Sequence, residues 1–159
     1  MGNTTKDNGA CQHETIVSGS KLRITDLRIG NFVTWIDDEE EPEGYEHLTI
    51  DGLLSDGTIW VKWRWEDGDG DETDCDLDIV KPIIITKKWL MRFGFTYGVH
   101  KMELIKDVCP NVVLKYSLGA MALWIETSRE GALLENIEYV HQMQNLYFAL
   151  TGKELKLDR

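Results

Sequence analysis

The sequence predicts an α+β fold, with two β-rich parts and one helix that closes the chain. Short runs of alternating apolar and polar residues are separated by turn residues such as Asp56-Gly57. A single longer stretch, 137–150, has helical periodicity instead. The length of 159 residues suits one domain or two small packed domains, and the 42% apolar content supports a hydrophobic core.

The first part is predicted to be a flexible tail followed by a β-rich unit. Residues 1–23 are rich in Asn, Thr, Gly and Ser, which is typical of a flexible tail. Residues 24–85 are predicted to form a small SH3-like twisted β-barrel or sheet. Its strands are NFVTWI (31–36), HLTIDGLL (47–54), TIWVKWRW (58–65) and DCDLDIV (74–80). Segment 37–46 holds seven carboxylates and a proline, so we expect an exposed loop there.

The second part, 86–159, is predicted to be an αβββα unit packed on the first. Thr86 can cap a short helix, KKWLMRF, and Gly94 can supply the left-handed residue that ends it. The three predicted strands are VHKMELI (99–105), VVLKYSL (112–118) and AMALWIE (120–126). The closing helix, 137–150, presents its apolar residues on one arc, and Gly152 is predicted to end it.

The net charge of −11 is concentrated in one region. Residues 37–78 contain 17 acidic and 2 basic residues, a net of −15, so the rest of the chain sums to +4. Residues 81–106 contain six cations against Glu103, a net of +5. A field this negative disfavours nucleic acid as a partner, although a local basic face can still contact phosphates.

The stretch WEDGDGDETDCDLD, 65–78, spaces its carboxylates as a calcium loop does. Counted from Asp67, they fall at positions 1, 3, 5 and 12. Position 6, which needs glycine, is Glu72, position 12 is not Glu, and the flanking runs alternate like strands. We therefore predict a hairpin with Asp67-Gly68 or Asp69-Gly70 at its tip, whose carboxylates protect an edge strand, and no metal site.

Two groups of residues are candidate interaction sites. Alternation places Trp60, Lys62 and Arg64 on one strand face, where an indole can stack on a base while the cations hold a phosphate. We favour the interpretation that this is a solvent-exposed face, on which the cations compensate the charge of the many nearby carboxylates. On the closing helix, His141, Gln142 and Asn145 lie opposite the apolar arc. These side chains can bind a partner. We favour the interpretations that they face solvent, or that they form a buried polar network with a neighbouring loop.

No stretch carries the pattern of a known catalytic or cofactor site. The three cysteines are widely spaced without CxxC, the four histidines stand alone, and GxSxG, P-loop and GxGxxG motifs are absent. We predict that the protein is not an enzyme and uses no cofactor. The sequence has no apolar run of transmembrane length and no signal-peptide h-region, so we expect no membrane association and a cytoplasmic location.

Three stretches resemble a known family: LRIGN (27–31), VKPIIITKKWLMRFGF (80–95) and YVHQMQNLYFALTGKEL (139–155). They are similar to uncharacterised small proteins encoded by Bacteroidetes phages, prophages and integrated mobile elements. The third stretch is the most specific, because it is long and unusual in composition. The resemblance implies a bacterial cytoplasm during phage or prophage expression, and it implies no activity or ligand.

Three functions follow from these observations. The leading hypothesis is a phage or mobile-element accessory protein that acts as a non-enzymatic interaction module on an unknown host or phage protein. The first alternative is an acidic DNA mimic that inhibits a host nucleic-acid-binding protein, such as a nuclease or repressor. In it, 37–78 presents carboxylates as DNA presents phosphates, and two ordered rows would favour it. The second is a nucleic-acid binder that uses Trp60, Lys62 and Arg64 with the basic helix of Lys87, Lys88 and Arg92.

Overall fold

A computed structural model of the protein describes residues 22–36, 47–64 and 70–158, with only the backbone of Arg64. The predicted tail up to residue 21, the acidic loop 37–46 and the predicted hairpin tip therefore lie outside the described residues. The fold is mixed α+β, as predicted: two five-stranded antiparallel sheets and two α-helices, with short 3-10 helices at Ile24–Asp26 and Leu77–Ile79. None of the helices in the described ranges is long and apolar enough to cross a membrane.

The first sheet has the strand order β4-β3-β2-β1-β5. Its strands are β1 (Phe32–Trp35), β2 (Leu48–Leu53), β3 (Thr58–Arg64), β4 (Gly70–Asp76) and β5 (Val80–Pro82). Asp56-Gly57 connects β2 to β3 as predicted, with φ +96° at Gly57, a conformation that glycine adopts without strain. The strands on either side of the aspartate-rich tip pair from Thr58–Asp76 to Arg64–Gly70, which confirms the predicted hairpin in the part that is described.

The first sheet is open rather than closed into a barrel. β4 and β5 are its two edges, and β5 pairs only with β1 over three residues that end in Pro82, which lacks a backbone donor. Closure would require these edges to pair with each other, and β4 is an acidic strand. The inner face of the sheet forms a core of small aliphatic side chains, which includes Val33, Leu48, Ile50, Ile59, Val61 and Val80.

The second sheet has the order β10-β9-β8-β7-β6. Its strands are β6 (Thr96–Tyr97), β7 (Glu103–Cys109), β8 (Val112–Ser117), β9 (Ala122–Thr127) and β10 (Gly131–Leu134). The predicted three-strand meander is present as β7 to β9, but the αβββα description is incomplete because two further strands pair at the edges. Neither addition has a strand pattern in sequence: β6 is two residues long, and β10 reads GALL, without β-branched or aromatic residues.

The two helices begin and end largely where local signals predict. In α1 (Lys87–Arg92), the Thr86 hydroxyl accepts from the Trp89 N–H at 3.4 Å, and Gly94 follows with φ +75°. The closing helix α2 (Val140–Thr151) begins three residues later than predicted and ends at Gly152 with φ +67°. Both helices pack on the second sheet through a core that includes Leu90, Phe93, Phe95, Leu104, Leu114, Leu123, Val140 and Met143.

A cluster of aromatic rings joins the first sheet to α1. Phe32 of β1 lies 4.2 Å from the His47 ring and 6.0 Å from the Trp89 ring, measured between centroids. Trp89 in turn lies 5.8 Å from Phe93 in the second core. Aromatic pairs at these distances contribute about 0.5–1.5 kcal/mol beyond their burial, so the cluster helps to hold α1 against β1 and the start of β2.

Candidate interaction surfaces

Strand β3 presents an exposed tryptophan on its outer side. Ile59 and Val61 are fully buried on the inner side, whereas Trp60 is 42% exposed and Lys62 is exposed beside it. The alternation predicted for this strand is therefore confirmed. The backbone of Arg64, two positions after Lys62, pairs with Gly70 of β4, and the Arg64 side chain is outside the described residues.

A glycine on the neighbouring strand makes room for the indole. Gly52 of β2 lies directly opposite Trp60, next to a register shift between Ile50 and Gly52. A Cβ atom built at Gly52 would lie 3.2 Å from the Trp60 Cβ and 3.4 Å from its Cδ1, which is closer than ordinary packing allows. Gly52 is a site residue that sequence reasoning missed, although a glycine inside a strand pattern often marks a bulge or a close approach.

The cation beside Trp60 is already paired with a carboxylate. Lys62 Nζ forms an ion pair with Asp51 of β2, and both side chains are about half exposed. Pairs this exposed contribute only about 0–1 kcal/mol to stability, so their main effect is to offset the Lys62 charge. This is the arrangement that the solvated-face interpretation predicts.

Strand β4 adds an ordered row of carboxylates to the same face. Glu72, Asp74 and Asp76 are exposed, and they lie opposite Lys62, Trp60 and Thr58 respectively. Directly opposite residues of antiparallel strands share a face, and alternate residues along a strand are about 6.8 Å apart. We call this surface the Trp60 face; its described members are Asp51, Thr58, Trp60, Lys62, Glu72, Asp74 and Asp76.

The described part of the Trp60 face is negative around an aromatic centre. It contains four carboxylates and one ammonium group, which is itself ion-paired. An indole ring attracts cations to its face, and the surrounding carboxylates attract them from a distance. The face therefore suits a cationic ligand and repels phosphate.

Two of the three cations of the basic helix contact aromatic rings, while Lys87 and Lys88 are exposed. The Lys87 Nζ lies 5.1 Å from the centroid of the Tyr97 ring, and the Arg92 guanidinium lies 5.1 Å from that of Trp89. These contacts hold two of the three cations of α1 against rings of the same chain. These contacts do not link α1 to Trp60 and Lys62, so they give no support to one nucleic-acid site formed by the helix together with Trp60, Lys62 and Arg64.

The polar residues predicted on the closing helix serve the chain itself. The Gln142 Oε1 accepts from the backbone N–H of Glu138 at 2.8 Å and of Tyr139 at 3.0 Å, and so satisfies donors at the start of α2. The Asn145 Nδ2 donates to the Asp26 carbonyl at 2.8 Å. Both side chains are therefore engaged within the molecule, as in the predicted alternative of a polar network with a neighbouring loop.

The network also includes Gln144, a buried residue that was not among the predicted site residues. Gln144 is 1% exposed; its Oε1 accepts from the Phe32 N–H at 2.8 Å and its Nε2 donates to the Gly30 carbonyl at 3.0 Å. Asn31, also buried, donates from Nδ2 to the Asn145 Oδ1 at 2.9 Å. These bonds fix the segment before β1 onto α2.

Arg28 covers the outer end of the same contact. Its guanidinium lies 3.8 Å from the centroid of the Phe148 ring and forms an ion pair with Glu154. The stretches 27–31 and 139–155 thus contact each other directly.

His141, the third predicted residue of the helix, is buried. It is 3% exposed, its ring stacks on Tyr139 at 5.8 Å, and its Nδ1 has no hydrogen-bond partner within the described part of the chain. Burial lowers the pKa of this imidazole, and the nearby Asp26 carboxylate opposes that shift. His141 is therefore neutral near pH 7 and is inaccessible to a large partner.

The structure brings together no metal site in the ranges it describes. No group of three or more His, Cys, Asp or Glu side chains is arranged there to hold a metal ion. Asp67 and Asp69, the first two carboxylates that match the spacing of a calcium loop, lie outside those ranges. Burial and the neighbouring carboxylates of Asp74 and Asp76 raise the pKa of the Cys75 thiol, so this cysteine is a poor nucleophile.

Comparisons with protein-family models, with curated proteins and with solved structures find no match to this chain.

Proposed function

We propose that the protein is a non-enzymatic interaction module, and that its Trp60 face binds a cationic segment of a partner protein. The observation that carries the proposal is the exposed Trp60 indole beside the ordered carboxylates of Glu72, Asp74 and Asp76. The one cation described on this face is paired with Asp51. A Lys- or Arg-rich segment therefore meets a ring and three carboxylates that form no ion pair with any described side chain.

The expected binding energy comes from two contributions. A cation over an exposed indole contributes about 0.5–1 kcal/mol, and Arg is the side chain that most often makes this contact. Rim carboxylates mainly accelerate association and set specificity, so binding weakens as salt rises. An exposed tryptophan ringed by polar groups is also typical of the central residue of a protein interface.

The setting we propose is that of a phage or mobile-element accessory protein in a bacterial cytoplasm, acting on a host or phage protein. Its support is the resemblance of the three sequence stretches. We also propose that the first unit is a relative of SH3-like folds, in an open form. The support is its strand order, in which β5 returns to pair with β1.

A second candidate function is mimicry of DNA, which the ordered row on β4 favours. Each DNA strand carries one charge per about 3.4 Å of helix axis, whereas the carboxylates of β4 recur every 6.8 Å or about half as densely. One such row falls short of the two rows that mimicry requires. Further rows would have to come from acidic segments outside the described residues.

Titration calorimetry with hexa-arginine tests the proposal. We expect saturable binding that weakens as salt rises. The Trp60→Ala variant should bind about threefold to fivefold more weakly, because it loses one cation–π contact. Tyr97→Ala is the matched control, because Tyr97 is an exposed ring on the other sheet, and it should leave the affinity unchanged. Equal losses in both variants, or unchanged binding after Glu72→Gln, Asp74→Asn and Asp76→Asn together, would contradict the proposal.

A further inference from the structure

The four edges of the two sheets differ in how they are protected. Exposed sheet edges attract other strands, and proteins block them with charge, proline or very short strands. Edge β4 carries exposed carboxylates, β5 contains Lys81 and Pro82, and β6 is two residues long. Edge β10, Gly131–Leu134, is four residues long and has neither a charge nor a proline. It is the unprotected edge of the described structure.

The outer side of β10 has free backbone groups. β10 pairs with β9 alone, and its backbone makes no other hydrogen bond to the described residues. Gly131, Ala132 and Leu133 are exposed, with Leu133 at 47%, whereas Leu134 packs against the second core. A strand added here would gain main-chain hydrogen bonds without displacing any described element.

An open pocket lined by both apolar and polar residues lies beside this edge. It has a volume of about 290 Å³ and lies between the ends of β9 and β10 and the segment 135–138 that leads to α2. Leu133, Met121 and Ile137 contribute apolar side chains to its lining. Glu135, Asn136 and Glu138 add polar and negatively charged groups to the lining, so the pocket can accept one side chain of an added strand without requiring it to be apolar.

The charges at the two ends of β10 indicate which strand fits. Glu130 precedes the strand and Glu135 follows it, and both are exposed; Arg129 lies in the turn before them. If a second copy paired through β10 about a central two-fold axis, each Glu130 would lie opposite the other copy's Glu135. Like charges directly opposite destabilise a strand pair, so β10 disfavours itself as a partner.

We propose that β10 is a strand-addition site for an extended segment of a partner protein. The segment has four uncharged residues, one of whose side chains enters the pocket, and a Lys or Arg at each end facing Glu130 and Glu135. The site lies on the second sheet and does not depend on the Trp60 face. A failure at one surface therefore leaves the other standing.

The test uses the full chain carrying Glu72→Gln, Asp74→Asn and Asp76→Asn, which removes the carboxylate row of the Trp60 face, and the fluorescein-labelled peptide KKVTVTKK, followed by anisotropy. We expect binding that Leu133→Lys weakens by about tenfold, through a buried charge and repulsion of the basic peptide ends. Ile79→Lys is the matched control, since Ile79 is 48% exposed in the 3-10 helix between β4 and β5 and gains the same charge. It should leave the affinity unchanged. Hydrogen exchange should slow at residues 131–134 when the peptide binds.

Two further comparisons separate strand addition from simple charge attraction. A peptide with the same charges but N-methylated at its four central amides should bind at least about tenfold more weakly. Glu130→Lys with Glu135→Lys should reverse the preference from KKVTVTKK to EEVTVTEE. The proposal is wrong if the methylated peptide binds equally, if no binding is seen at about 1 mM, or if the chain forms a dimer that Leu133→Lys dissociates.

Discussion

Replacing Gln144 with leucine tests the contact between α2 and the first sheet. The change keeps the side chain's approximate size but removes its two hydrogen bonds, so the Phe32 N–H and the Gly30 carbonyl lose their partners in a part-buried site. Each unsatisfied group costs about 1–3 kcal/mol. Since the two hydrogen bonds are part-buried, water can compensate some of the cost, and we expect a total loss near 3 kcal/mol.

Urea denaturation followed by circular dichroism measures this loss. In a thermal melt of a chain of this size, a loss of about 3 kcal/mol in the free energy of unfolding corresponds to a fall in Tm of roughly 6–12 °C. Gln142→Leu is the matched control on the same helix. Gln142 satisfies two donors at an exposed helix start, so its loss should cost only about 1 kcal/mol. A Gln144 variant no less stable than the Gln142 variant would refute the bridging role of Gln144.

Two other predictions follow from single residues of the structure. Because burial lowers the pKa of His141 below the ordinary 6.5, the unfolded chain binds a proton that the folded chain does not. Stability should therefore fall as pH drops through about 6.5, and urea midpoints at about pH 7.5 and 5.5 should converge in His141→Gln; an unchanged gap would contradict this. Gly52→Ala places a Cβ 3.2 Å from that of Trp60, so it should cost about 1 kcal/mol and shift the indole fluorescence. An unaltered spectrum and stability would show that the close approach has no effect.

Local signals in the sequence predicted much of the fold. Thr86, Gly57, Gly94 and Gly152 each adopt the conformation expected of their residue type, because caps and left-handed residues are decided by neighbours a few positions away. Alternation likewise predicted which residues of β3 are buried. The α+β class follows from these elements together.

The missed features depend on contacts between distant segments. β10 has no strand pattern and exists because it pairs with β9. Gln144 was not predicted as a site residue, because a glutamine on a helix is usually exposed. In the structure α2 contacts both the second sheet and the segment before β1, so the polar side of α2 is buried as well. The Trp60 face was predicted only as Trp60, Lys62 and Arg64. Its negative character comes from the register of β4 on β3, which a single sequence does not reveal.

The most direct test of the Trp60 face is a nuclear magnetic resonance titration of the tryptophan indole N–H signals with hexa-arginine. Six indoles report separate parts of the chain, and the loss of one signal in Trp60→Phe assigns the residue of interest. We predict that the Trp60 signal shifts furthest and saturates, while that of Trp89 on α1 stays in place. A stationary Trp60 signal, with peptide bound to the protein, would contradict the proposed function.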